Sequence, residues 1–146
     1  MTILDKIKRY HDIPMLIKDL RIDKNICISV KSVQFDSIGA AHGTAGNRTE
    51  QRLLDAAEID AEMERLKQER GLLKLEIQQE INFIISGSGA KEAEMRIILK
   101  SHLLEGFSLK YISSNTIHRD YGATRKLFHE GFALLEKTSL DLTRSH

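Results

Sequence analysis

Seven residues in the last third of the chain have side chains suited to holding an anionic polymer: Ser108, Lys110, Arg119, Gly122, Arg125, Lys126 and His129. On a helix, Gly122, Arg125, Lys126 and His129 fall three or four apart or side by side and share one face, with Arg119 just ahead of them. A helix that enters a DNA major groove needs small residues near its tip, hydrogen-bonding side chains one turn apart, and cations within reach of phosphates. On that reading Arg125 or Lys126 reaches base edges, and Arg119, Ser108 and Lys110 contact the backbone. The plain alternative is a solvated basic face on a three-helix bundle.

Other reactive types are present without the partners that catalysis requires. Ser108, His118 and Asp120 lie close in sequence, but at helix caps and in a turn, where structural roles suffice. The carboxylates Asp55, Glu58, Asp60, Glu62 and Glu64 scatter around a helix with no histidine among them, which describes a solvated face better than a metal site. Cys27 is the one cysteine; it has no disulfide partner and no histidine nearby, and reads as a small apolar residue. His42 reads as a solvated loop histidine. The run Ser86-Gly87-Ser88-Gly89 follows a helix rather than a strand and lacks the lysine of a phosphate-binding loop. The expectation is a protein that is not an enzyme and uses no metal or cofactor.

The elements that must position these residues are helical. One proline, nine glycines, no tryptophan and 29% charged residues in 146 favour an all-α fold. Ile3, Ile7, Tyr10, Ile13, Ile17 and Leu20 step by three or four, a helical stripe from Thr2 to about Lys24, with a kink or restart expected at Pro14. Asn25 to Asn47 reads as a loop that ends rich in glycine. Thr49 is a plausible cap for a helix of about 36 residues, whose seam runs Arg52, Ala56, Ile59, Met63, Leu66, Arg70, Leu73, Ile77, Glu80, Ile84. The pattern predicts a long antiparallel helical hairpin, coiled-coil-like, over 1–85, a linker at 86–89, a three-helix domain over 90–138 and a tail at 139–146. In the domain, Gly106 ends one helix, Ser108 caps a short helix from Leu109, and Asp120 caps a last helix. That last helix turns Thr124, Leu127, Phe128, Gly131 and Leu135 inward.

Charge bounds the function. The net charge is +1, but residues 1–47 carry seven Lys/Arg against five Asp/Glu, residues 48–85 six against nine, and residues 86–146 nine against seven. A protein that coats nucleic acid would be uniformly basic, so any DNA contact is local. The start Met1-Thr2-Ile3-Leu4-Asp5 does not have the form of a leader and no window is long and apolar enough for a membrane span, so a cytoplasmic protein is expected.

The run Leu104-Glu105-Gly106-Phe107-Ser108-Leu109-Lys110-Tyr111-Ile112, a turn, then Tyr121 to Lys137 ending Phe132-Ala133-Leu134-Leu135-Glu136-Lys137 resembles the helix-turn-helix of sigma-factor region four. With the N-terminal helix, the Gly/Ser-rich loop, the Asn47-Arg48-Thr49-Glu50 start and the long charged helix in front, nearly the whole chain resembles small phage and prophage proteins related to the ArpU and RinA late-transcription regulators. The resemblance implies a regulator that binds double-stranded DNA through the helix-turn-helix, with RNA polymerase as a possible partner and the long helices available for homodimerisation. The chain departs from that pattern in a turn from Ser113 to Arg119 that is a residue or two long, and in Gly122 and Gly131 within the recognition helix. A different class of protein fits the same elements: a phage assembly or packaging adaptor, like a small terminase subunit, acting through the hairpin.

Overall fold

The computed structural model of the protein describes the backbone of residues 1–37 and 45–144 and the side chains of residues 1–29 and 55–142. Among these residues the chain is all-helical: α1 (Ile3–Ser37), α2 (Ala45–Ile84), α3 (Ala90–Leu103), α4 (Leu109–Asn115) and α5 (Tyr121–Arg144). It divides into two compact units, one of Met1–Tyr10 with Leu72–His146 and one of His11–Gly71. No helix among the described residues is long and apolar enough to cross a membrane.

The larger unit is built from three apolar stripes that meet the small C-terminal helices. The first turns of α1 bury Ile3, Ile7 and Tyr10; α2 contributes Leu73, Ile77 and Ile81, with Ile85 directly after it; α3 contributes Met95, Ile98, Leu99 and Leu103. Ile112 of α4 and Leu127 and Leu135 of α5 close the same core, and α3, α4 and α5 pack against one another. Each buried aliphatic side chain contributes about 1.5–3 kcal/mol of transfer free energy. Polar contacts fix the register around this core. The Tyr10 hydroxyl donates to the Leu104 carbonyl at 2.7 Å in a buried bond. Lys6 pairs with Glu80 and, at 3.4 Å, with Glu76; its hydrogen bond to Glu80 raises its pKa above the ordinary lysine value. Lys74 pairs with Glu105 at 2.9 Å.

The smaller unit buries Ile13 and Ile17 of α1 and Met63 and Leu66 of α2. Lys24 and Asp60 pair at 2.7 Å. Its rim leaves Met15, Ile22, Ile26 and Ile28 exposed.

Several expectations change. Pro14 lies inside α1, so no second helix restarts near Asp12; a proline ring accepts a helical φ, and the buried Ile13 and Ile17 flank it. The loop expected over Asn25 to Asn47 is helical up to Ser37, where α1 ends, and from Ala45, where α2 begins; the rest of that stretch lies outside the described residues. The cause is visible in the half-buried Leu20, Lys24 and Cys27, which carry the stripe on at helical spacing, while Ile26 and Ile28 are exposed. His42 lies outside the described residues. Thr49 sits inside α2 and does not cap it.

The seam of α2 also drifts. Met63, Leu66, Leu73 and Ile77 are buried as expected, but further on Ile81 and, just past the helix end, Ile85 are buried in place of Glu80 and Ile84, which are half-buried. A helix of 3.6 residues per turn rotates away from a strict heptad, and two steps of four restore the buried side. The Ser-Gly run does end α2, yet it joins elements of one unit. Ile85 and Ile81 are buried, Arg96 Nη1 donates to the Ile85 carbonyl at 2.6 Å, and Lys100 Nζ reaches Asn82 Oδ1 at 2.9 Å. The expected tail is helical to Arg144, because Ser139 is buried one turn beyond Leu135.

Candidate nucleic-acid interface

Local chemistry sets the path from α3 into α5. Gly106 adopts a left-handed φ of +77°, a conformation open to glycine at little cost. Around it the Glu105 amide donates to the Lys100 carbonyl at 3.2 Å and the Phe107 amide to the Ser101 carbonyl at 3.1 Å. Ser108 then occupies the N-cap of α4, and its Oγ accepts from the Tyr111 amide at 3.1 Å. The long turn before α5 is absorbed in two ways. The helix α4 runs on to Asn115, and His118 takes a φ of +52°, while the Ile117 amide bonds to the Ile112 carbonyl at 3.1 Å and the Arg119 amide to the Ser113 carbonyl at 3.0 Å.

Asp120 precedes the first residue of α5, and its carbonyl accepts from both the amide and the hydroxyl of Thr124, at 3.1 Å and 3.0 Å. That second bond lets a polar side chain sit fully buried at the start of the helix. Thr124, Leu127, Gly131 and Leu135 face inward as the spacing predicts, with Phe128 half-buried. Gly131 marks a close approach: a Cβ there would stand 2.9 Å from Leu99 Cδ1 and 3.5 Å from Ile85 Cδ1. The helix is glycine at this point because Leu99 of α3 and Ile85, just after α2, occupy the space.

The expected contact residues fall into three groups. Gly122, Arg125, Lys126 and His129 are exposed along the first turns of α5, and Lys110 is exposed on α4. Ser108 is exposed but spends its acceptor on the cap. Arg119 is not simply offered to solvent, because its Nε lies 2.7 Å from Glu94 Oε2 on α3.

Arg119 and Lys126 share an open groove of about 320 Å³ with Lys91, Glu94, Ala123, Leu127 and Glu130. Lys91 and Glu130 pair across it at 3.2 Å. Lys91, Glu94 and Glu130 were not among the residues singled out from the sequence, since no local spacing links α3 to α5. Ring contacts run along the same helices: Phe107 stacks on Tyr111 with centroids 4.9 Å apart, and Phe128 contacts His102 at 5.0 Å and Phe132 at 5.7 Å. No group of three or more His, Cys, Asp or Glu suited to a metal ion occurs among the described residues.

The arrangement sets exposed cations along the first turns of α5, behind a polar turn. No protein-family model, no curated protein and no solved structure matches the chain.

Proposed function

We propose that the protein is a transcription regulator of phage or prophage type that binds double-stranded DNA, with α4 and α5 as the two helices of a helix-turn-helix. The observation that carries this reading is the division of α5: Thr124, Leu127 and Leu135 are buried while Gly122, Arg125, Lys126 and His129 stand exposed on its first turns. Cations and small residues at the tip of a docked helix are the features a major groove selects. Arg125 or Lys126 reads base edges, and Lys110 and Arg119 contact phosphates. RNA polymerase is the partner that a late-transcription regulator engages, and the long helices α1 and α2 supply the homodimer contact. The test is a gel shift against duplex DNA from the promoters of the protein's own genome over a salt series. The wild type binds at low salt, and Arg125→Ala combined with Lys126→Ala weakens binding by about tenfold or more. Absence of binding at low salt, or binding unchanged in the double variant, contradicts the reading.

A second reading has one observation of its own. Leu72, Leu75 and Phe83 are exposed on α2 at 63%, 55% and 83%, a side of the helix suited to docking another chain, as in a packaging adaptor. Light scattering that gives a ring-sized oligomer favours it over the regulator.

A further inference from the structure

The groove beside α5 holds more carboxylate than a simple phosphate seat needs. Three cations line it, Lys91, Arg119 and Lys126, and two carboxylates, Glu94 and Glu130. Glu94 holds Arg119 at 2.7 Å and Glu130 holds Lys91 at 3.2 Å. Lys126 has no ion-pair partner among the described residues. The Glu94 side chain is the more buried of its pair, 20% exposed against 49% for Arg119. It is thus fixed by the fold, while the guanidinium can turn outward. Solvent-exposed pairs of this kind add little to stability, at most about 1 kcal/mol, so their larger consequence is the field they set at the groove. A phosphate approaching Arg119 must share the guanidinium with a carboxylate that stays in place, and the groove offers it one net positive charge instead of three.

Resting on the DNA-binding reading above, we infer that this groove seats a backbone phosphate, with Lys126 as its free cation, and that Glu94 and Glu130 hold down its affinity. Phosphate contacts strengthen binding to every sequence alike. Carboxylates that blunt them leave discrimination to the side chains at base edges, a use of repulsion to gain specificity.

The experiment is fluorescence anisotropy of the full-length protein with a duplex of arbitrary sequence, across about 50 to 200 mM salt. Glu94→Gln and Glu130→Gln, tested separately, each bind more tightly than the wild type at low salt. Each also steepens the salt dependence by about 0.9 in logarithmic slope, equivalent to a further loss of about three- to fourfold over that range. Lys126→Ala makes the slope shallower. Thermal unfolding of each variant separates charge from fold, since losing an ion pair with a purely structural role lowers the melting temperature and leaves the slope unchanged. Wild-type binding with unaltered slopes in both glutamine variants, or weaker binding by a folded Glu94→Gln, overturns the inference while leaving the DNA-binding reading intact. A wild type that binds no duplex at low salt overturns both.

Discussion

The phenol of Tyr10 shows how much one polar atom can decide. Its ring belongs to an apolar stripe that any helical reading finds, but its hydroxyl donates to the Leu104 carbonyl at 2.7 Å inside the core, and that bond ties the first turns of α1 to the end of α3. Removing the donor leaves a buried acceptor unmatched, at a cost of about 1–3 kcal/mol. Tyr10→Phe is therefore expected to lower the melting temperature measurably while keeping the helical circular dichroism; an unchanged unfolding midpoint would remove this bond from the account. Ser108 makes the complementary case. Its cap was legible because a hydroxyl just before a helical run has few better uses, whereas the pairing of Arg119 with Glu94 was not, because the partners sit on different helices and sequence spacing carries no sign of it.

Among the elements, α5 joins the core to the proposed interface. Its two glycines look alike in sequence, each expected to weaken a helix by up to ~1 kcal/mol relative to alanine, and the structure separates them. At Gly122 an added Cβ meets only Asp120 Oδ2, at 3.5 Å, an ordinary contact; at Gly131 it meets Leu99 Cδ1 at 2.9 Å, and Leu99 is fully buried. Gly122→Ala is expected to raise stability by a few tenths to ~1 kcal/mol, and Gly131→Ala to lower it by about 1–3 kcal/mol through overpacking. Chemical denaturation of the two variants side by side decides the matter, and a stabilising Gly131→Ala would mean that α3 and α5 do not approach as described. The inward positions Thr124, Leu127 and Leu135 were legible from their spacing. What no periodicity could give was why Gly131 is there, since a close approach is a property of two helices.

On the scale of the whole molecule, the division of the chain follows burial rather than punctuation. The Ser-Gly run from Ser86 to Gly89 is the strongest break in the sequence, yet Ile81, Ile85, Arg96 and Lys100 pack or bond around it, so both sides belong to one unit. That unit also takes in Met1–Tyr10, because Ile3, Ile7 and Tyr10 are buried; a segment distant in sequence can complete a core with no local sign that it does so. The thin basic excess of the C-terminal third fits the proposed DNA contact, which is confined to α4, α5 and the turn between them. The most direct test of that claim is to titrate duplex DNA into isotopically labelled protein and follow the amide resonances. The account predicts shifts at Lys110, Arg119, Gly122, Arg125, Lys126 and His129 that fade as salt is raised. Shifts confined to Leu72, Leu75, Phe83 and their neighbours, or none at all at low salt, would contradict it.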